Sequence, residues 1–514
     1  MSASIALKRR SLPLAIFSLT IVRFLAVHAA DWPQFRGQSR DGISTDRITT
    51  QWTGSVTNPL WFVSFTNGPC SFSVSAGRAL TQVRRATNNV EKDFCVALNA
   101  ANGTQLWTAL VDDGDYPDFG VGFSDDGPRT TPTIDGDSVY VLSSYLKLAR
   151  LNVTNGATIW QKDLRAIYGG DVITWQNAAS PVLEDGFIFV NANCGTSTLM
   201  ALRASDGEPA WRSQNEVMTH STPTLATIHG VRQVIFATQS GLVSLNSKTG
   251  NLLWKFNYPF SYSTSLAVSP VVYNDMVFIT GFYGMGATVA KISSTNGTFT
   301  PSRLWFNSSL QSHWSTPVCY QGYLFGQFTP DGANAQLRCI DMATGALKWA
   351  TNGFGRGSVS LVGNRLLAIT ERGQLVVAEP NTNSYAEVAR FLAIPGYNDG
   401  ANKCWNSLAI ADGKVFVRST AFAAAFDFSL PGLKLEPPVL NSANQIQLTI
   451  RTVDGSPFSS NRFVGLQVLA TTNLALSTSL WPALTNNLFL TNDVVRVNGV
   501  GATSPAKFFI VHEP

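Results

Sequence analysis

Short runs of alternating apolar and polar residues follow one another along most of the chain, each closed by a turn built on glycine. In the clearest stretch Ser221-Thr222-Pro223 opens a strand and His229-Gly230 turns it. Val234-Ile235-Phe236-Ala237 forms a second strand, Gln239-Ser240-Gly241 turns again, and Leu242 to Asn246 forms a third. Lys248-Thr249-Gly250 then leads into a fourth strand, Leu252 to Phe256, which carries Trp254. Alternation with a period of two predicts half-buried antiparallel strands. The polar-Gly turns suit hairpins because glycine accepts positive φ without a Cβ clash.

The unit recurs. A polar-Gly turn is followed by tryptophan at Asn102-Gly103 to Trp107, Asn155-Gly156 to Trp160, Asp206-Gly207 to Trp211, Thr249-Gly250 to Trp254 and Thr344-Gly345 to Trp349. A further copy, Asn296-Gly297 to Trp305, carries four extra residues, and the six tryptophans lie 53, 51, 43, 51 and 44 residues apart. A period of about 40–50 residues in an all-β pattern predicts β-propeller blades. A large ring recurring in register predicts core packing between blades. Each repeat opens on a Ser/Thr-x-Pro-like run, also seen as Thr130-Thr131-Pro132, Ser180-Pro181, Ser269-Pro270 and Ser315-Thr316-Pro317. Proline is tolerated there because the first residue of a strand loses no ladder donor.

Two repeats are degenerate: Ser358 to Phe391 ends without tryptophan, and Asn406 to Phe428 supplies only three strands. The missing fourth strand is available at Leu60 to Phe65, near the other end. Pairing the two would close the ring and leave no long exposed edge. Starts near Cys70, Pro128, Asn177, His220, Ala267, Trp314, Gly357 and Trp405 predict an eight-bladed propeller over 30–430. Pro431-Gly432 and Pro437-Pro438 mark a linker over 431–440, and 441–514 reads as a small β module, with strands at Ile446 to Ile450, Gly465 to Ala470 and Phe508 to Val511.

Lys8-Arg9-Arg10, an apolar run from Leu12 and then Val27-His28-Ala29 form a secretory signal pattern, so 1–29 is expected to be cleaved. No cysteine lies near the cut to take a lipid anchor. The expected product is exported, soluble, periplasmic or extracellular, with no transmembrane segment left after cleavage. The net charge of +4 belongs to that leader: it holds four of the 37 basic residues and no acid, leaving 33 basic against 33 acidic. A charge argument for nucleic acid or an acidic membrane therefore falls away. Six cysteines are scattered with no C-x-x-C or adjacent pair, which argues against zinc and haem c motifs and for buried thiols. Cys319 and Cys339 fall on the first and third strands of one blade, roughly 9–10 Å apart at normal strand spacing, too far for a disulfide.

The repeats resemble those of exported β-propellers with pyrroloquinoline-quinone-like (PQQ-like) repeats, related in blade sequence to the outer-membrane assembly factor BamB and to quinoprotein dehydrogenases. Asp31-Trp32-Pro33-Gln34-Phe35-Arg36-Gly37, Arg40-Asp41-Gly42, Gly127 to Pro132 and Gly230 to Val234 resemble a planctomycete and verrucomicrobial subfamily. Ala470 to Leu474 and Trp481 are similar to a short module of verrucomicrobial exported proteins.

In a propeller the site is expected at the channel mouth, where the innermost strands begin. Those positions offer Arg129, Gln176, Asn177, His220, His313, Trp314, Arg356 and Trp405. Guanidinium, imidazole and indole together could hold a small anionic or ring-shaped ligand; the alternative is that these side chains plug the channel and bond to one another. The acidic loop from Asp112 to Asp126 lacks EF-hand spacing and reads as solvated, and His229 as a surface turn residue. No G-x-S-x-G, Walker, H-E-x-x-H or dinucleotide motif occurs, and no catalytic or metal-binding residue is nominated. The resemblance to quinoproteins implies a vicinal Cys-Cys pair and a calcium set, and this chain has no adjacent cysteines, so the blade carries over and the active site does not. The expectation is a non-catalytic propeller that binds or scaffolds a protein or cell-envelope partner, with no cofactor. The alternatives are a divergent quinoprotein-type oxidoreductase holding PQQ at the mouth, and a carbohydrate-binding or carbohydrate-processing propeller.

Overall fold

The computed structural model describes residues 31–512 apart from 53, 89, 114–126, 259–265, 330–333, 399–401, 444, 459, 464–465, 474, 478–479, 493 and 502–506. The expected leader over 1–29 and most of the acidic loop lie outside the described residues. Contacts divide the chain into one compact unit of Ala29–Ser429 and another that contains Leu430–Pro514.

Within the first unit the described residues form eight antiparallel sheets that follow one another in sequence. Their innermost strands are Ser73–Ser75, Thr133–Asp135, Val182–Glu184, Thr224–Ile228, Val271–Tyr273, Val318–Tyr320, Ser358–Val362 and Ala409–Ala411. The eighth sheet takes its outer strand from the N-terminal side: Trp61–Ser64 pairs antiparallel with Phe422–Asp427, Trp61 opposite Ala425 and Ser64 opposite Phe422. The orphan strand and the incomplete repeat therefore meet as the pattern predicts, and the ring closes. The seventh sheet gains a fifth strand, Ile43–Ser44, parallel to Ser358–Val362.

The Gly-to-Trp motif is an interlock between neighbours, and its two halves belong to different contacts. Five of the six motif tryptophans donate the indole N–H to the hairpin before the outer strand of the following sheet: Trp107 to Val153 O at 3.0 Å, Trp160 to Ala204 O at 3.2 Å, Trp211 to Ser247 O at 3.1 Å, Trp305 to Met342 O at 2.9 Å and Trp349 to Asn381 O at 2.7 Å. Trp61 does the same across the closure, to Ala100 O at 2.9 Å, and joins the set. The turn glycine of the following sheet lies flat on that ring. A Cβ at Gly103, Gly156, Gly207, Gly250 or Gly345 would come within 2.6–2.9 Å of it, closer than packed atoms tolerate.

The fourth and fifth sheets join differently. The four extra residues before Trp305 carry Gly297 clear of any neighbour. Trp254 still packs into the core shared with Val277, Ile279 and Phe299, but its N–H turns back to Gln233 Oε1 at 2.9 Å. His229, exposed in its turn as expected, also bonds through Nε2 to Ile292 O at 2.7 Å and supplies the missing link. At the seventh-to-eighth junction, where the repeat lacks tryptophan, Trp52 stacks on Phe428 at 4.6 Å and meets the edge of Phe391 at 5.3 Å.

A second set of links runs around the inside. At three junctions the hydroxyl preceding the opening proline accepts an amide N–H from the sheet before it: Thr131 to Ser180 Oγ, Ser180 to Thr222 Oγ1 and Ser269 to Thr316 Oγ1, while Thr131 Oγ1 and Ser269 Oγ are buried without a partner. The Ser/Thr of the signature therefore pairs a backbone donor that proline-opened strands would otherwise leave without a ladder partner.

Described by itself, the second unit pairs Leu433–Leu435, Gln445–Thr452, Val494–Gly501 and Leu488–Thr491 in one sheet, with Val439–Leu440 against Gln445–Thr452. Gln467–Thr471 pairs with Phe508–His512, and Leu448, Ile450, Phe458, Val468, Val497 and Phe509 fill its core. No helix among the described residues is long and apolar enough to cross a membrane. All six cysteines are free; Cys319 is partly buried and the rest are buried.

Candidate functional site

One position of the repeat, four residues ahead of the innermost strand, holds Pro69, Arg129, Ala178, His220, Ala267, Trp314 and Trp405 in seven of the sheets. Arg356 stands two residues ahead of the strand in the seventh. All eight side chains line a single cavity of about 490 Å³. The fold presents this position inward seven times, and the sequence fills it with small residues in some sheets and with large polar or aromatic ones in others.

The large residues gather on one wall. The ring of His313 stacks on Phe282 at 3.9 Å and lies 4.3 Å from Trp314, which lies 4.4 Å from Trp405. The Arg356 guanidinium carbon sits 5.5 Å from each indole centroid, and Lys403 Nζ lies 4.4 Å from Trp405. Glu371 orders this wall from behind. It accepts the Trp405 indole N–H at 2.8 Å and pairs with Arg356 Nε at 3.3 Å, while Trp314 donates to the Arg356 carbonyl at 3.1 Å. The indole faces are thus already covered by the protein's own cations.

Arg129 and His220 face the cavity from the second and fourth sheets. Arg129 Nη1 donates to the carbonyls of Gly127 and Trp175 at 3.1 and 3.0 Å, and His220 Nε2 meets Thr174 O at 3.0 Å. Burial first, then the Arg356 charge, pushes His313 down to about 3, so this imidazole is neutral at pH 7. Its Nε2 meets Tyr283 Oη at 3.2 Å, and its buried Nδ1 has no hydrogen-bond partner.

Six of the eight residues expected at the mouth, Arg129, His220, His313, Trp314, Arg356 and Trp405, therefore share one cavity. Gln176 and Asn177 do not reach it. Both are buried behind the lining: Gln176 Oε1 accepts from Arg84 Nη2 at 2.9 Å, and Asn177 Nδ2 donates to the Ser143 and Ala179 carbonyls at 3.3 Å. They fall two residues and one residue short of the lining position, which Ala178 takes. Sequence reasoning also missed Trp175, Tyr283, Lys403 and Phe35. Lys403 could have been found two residues before Trp405 in the same loop. Trp175 and Tyr283 stand at φ 65° and 55°, a left-handed backbone that no residue pattern announces.

Three cations, Arg129, Arg356 and Lys403, line the cavity, and none of its lining residues is Asp or Glu. No group of three or more His, Cys, Asp or Glu side chains among the described residues could hold a metal ion. One amide oxygen, Asn406 Oδ1, lacks a partner among the lining residues, while Asn406 Nδ2 donates to Cys70 O at 2.6 Å. A calcium ion of the kind that polarises a quinone needs six to eight oxygens, carboxylates among them. The lining does not fit that group.

Residues 92–351 match the family described as outer membrane protein assembly factor BamB. The chain is similar to the outer membrane protein assembly factor BamB of Shewanella oneidensis, 24% identical over 268 residues, which covers 50% of this chain and 58% of that protein. It is 23% identical over 291 residues to the BamB of Moranella endobia, covering 55% and 58%. The chain thus spans under two thirds of these curated relatives. Among solved structures, the quinohemoprotein alcohol dehydrogenase of Comamonas testosteroni aligns over 80% of this chain and 82% of that one, with a TM-score of 0.52 and 12% identity, a likeness of fold alone. With more than half its length matched by repeats of this kind, the chain is a PQQ-like repeat β-propeller and belongs to the BamB family.

Proposed function

We propose that the protein is an exported, non-catalytic binding propeller of the cell envelope, which takes an anionic group of its partner into the channel mouth. The observation that carries this reading is the lining: three cations and three indoles converge on 490 Å³ with no carboxylate among the lining residues. A carboxylate entering there meets guanidinium donors whose fork geometry suits it. The lining offers little for chemistry. His220 Nε2 is engaged on a backbone carbonyl, and His313, which meets the Tyr283 hydroxyl, is held down to about 3 and is too weak a base to activate it. Export is supported by the leader pattern, and a protein partner by the names of the relatives, which are assembly factors of outer membrane proteins.

Titration of the purified protein with small aromatic carboxylates, followed by calorimetry, tests the reading. The wild type should bind, and Arg129→Ala should weaken binding by about 1.5–3 kcal/mol, the range for charged hydrogen bonds, with an unchanged melting temperature. If no small anion binds at millimolar concentration, the site reading fails and Arg129 serves only to tie Gly127 to Trp175. Retention of PQQ through gel filtration, together with dye-linked alcohol oxidation, would establish the oxidoreductase instead.

A further inference from the structure

The segment Asp31 to Thr49 crosses the ring instead of following it. Trp32 exchanges two backbone hydrogen bonds with Val74 of the first sheet, at 2.8 and 2.7 Å, and Pro33 O accepts from Ile134 N of the second at 2.7 Å. Arg36 then reaches the sixth sheet, donating from Nη1 to Thr316 O at 2.7 Å and from Nη2 to Pro317 O at 2.9 Å. Arg40 returns to the third, donating to Leu183 O at 2.6 Å and pairing with Glu184 at 3.4 Å. Gly42 O accepts from Leu361 N at 2.9 Å and Ile43–Ser44 joins the seventh. Asp46 and Thr49 end the crossing on the eighth, at Gly413 N and Phe428 O.

In a closed ring of eight, the second and sixth sheets face each other across the channel, as do the third and seventh. Pro33 and Arg36 are three positions apart, with only two residues between them, and an extended chain gains at most about 3.6 Å per residue. Gln34 and Phe35 must therefore lie across the channel axis. Phe35 lines the 490 Å³ cavity on one side. On its other side Gln34, Arg36 and Arg40, with Pro181 and Thr222 to Thr224, leave only about 10 Å³. Arg36 is fully embedded, and it also donates to Asp41 O at 2.6 Å. Gly42 is packed so close that a Cβ there would come 3.1 Å from that guanidinium. The crossing is a built strut, and it gives the Trp32-to-Gly42 motif a role that blade packing does not.

We infer that Phe35 is the floor of the cavity, closing the channel into a blind cup and determining how long a ligand ring system it accepts, and that Arg36 is the positioning residue that holds this floor. This rests on the reading that the cup binds an anionic ring. The ligand must then enter from the face where Trp175, Tyr283 and the Trp314–Trp405 wall stand.

The full chain should be titrated with benzoate, naphthoate and anthracene carboxylate, read by quenching of the cavity tryptophans. Phe35→Ala should shift preference toward anthracene carboxylate by about tenfold, as expected for several carbons of added pocket depth, while Phe35→Leu shifts it less. Arg36→Met should lose the size preference and the hydrogen-exchange protection of the Ile134 and Leu361 amides, and Arg36→Lys should restore part of both. An unchanged order of preference in Phe35→Ala, or full protection in Arg36→Met, overturns the inference. Ligand-free crystals of Phe35→Ala decide the floor even if the wild type binds none of the three probes, an outcome that would sink the binding reading alone. There the cup should open into the small cavity beneath it, and a floor still closed by other atoms would exclude Phe35 from the role.

Discussion

The outer ring of tryptophans and the inner ring at the channel mouth repeat with one period and stand on the same sheets, yet they treat that repetition oppositely. Around the outside, the same indole meets the same turn at six junctions, from Trp61 on Ala100 to Trp349 on Asn381, and glycine lies under the ring at five of them. Around the inside, the equivalent position is proline, arginine, alanine, histidine or tryptophan by turns. Where each copy must fit an identical neighbour, packing density leaves one solution. Where the copies face a shared cavity, nothing forces them to agree, and their differences gather Trp314 and Trp405 on one wall and set Arg129 and His220 apart from it.

The junction between the fourth and fifth sheets shows what happens when the outer rule is broken. The longer hairpin lifts Gly297 away, Trp254 bonds within its own sheet, and His229 makes the cross-link. The interlock is thus a device for joining sheets, and a different side chain can replace half of it.

The severest way to break the comparison is to remove the closure. Deleting 31–66 takes away both the Trp61–Ser64 strand and the strut, and should abolish cooperative unfolding of the propeller by circular dichroism; a truncated protein that melts as the wild type does would rule the closure out. Next, Trp107→Ala and Trp254→Ala should each cost about 3–5 kcal/mol in denaturant unfolding, the range for a buried aromatic. Equal losses would show that ring burial dominates, since only Trp107 bonds across the junction. A value near zero with loss of binding would move Trp254 from packing to function.

Glycine sharpens the same point at a smaller scale. Gly156 and Gly297 share a left-handed backbone, φ 73° and 80°, so alanine is strained at both. Only at Gly156 would the new methyl strike a ring, Trp107, at 2.6 Å. Gly156→Ala should therefore be worse than Gly297→Ala by about 1–3 kcal/mol, the usual penalty of overpacking. Equal melting temperatures would mean that the interlock is loose.

The smallest expected effect lies on the inner ring. His313 is held below its ordinary value of 6.5, at about 3, by burial between Phe282 and Trp314 and then by Arg356, with Tyr283 as its hydrogen-bond partner. The unfolded chain therefore binds a proton that the folded one refuses. That share of stability is complete above pH 6.5 and lost as pH falls toward 3. His313→Phe, which keeps the stack, should flatten the decline of melting temperature between those limits, and an unaltered slope would mean that this ring protonates freely in the fold.

Much of this was legible in order along the chain. Alternation and the Gly-to-Trp spacing give strand, turn and blade because hairpin pairing is local, and the orphan strand with the incomplete repeat gives the closure because an unpaired edge is costly. The register of the mouth was legible too, since Arg129, His220, Trp314 and Trp405 all precede a strand by four residues. Its error at Gln176 and Asn177 is a matter of where one loop bends. Which residue of a loop faces the cavity depends on backbone turns such as φ 65° at Trp175, and those are fixed by neighbours from other repeats.

The sequence by itself determined the repeat, its partners and its period, because each depends on residues within one hairpin or one neighbour. Only the tertiary structure decided that Trp32 to Gly42 passes through the ring, that Phe35 faces the cavity, and that Lys403 and Glu371 belong to one wall with Arg356. Those contacts join residues up to 319 positions apart, as from Gly42 to Leu361, and no local pattern encodes a distance that only the closing of the ring makes short.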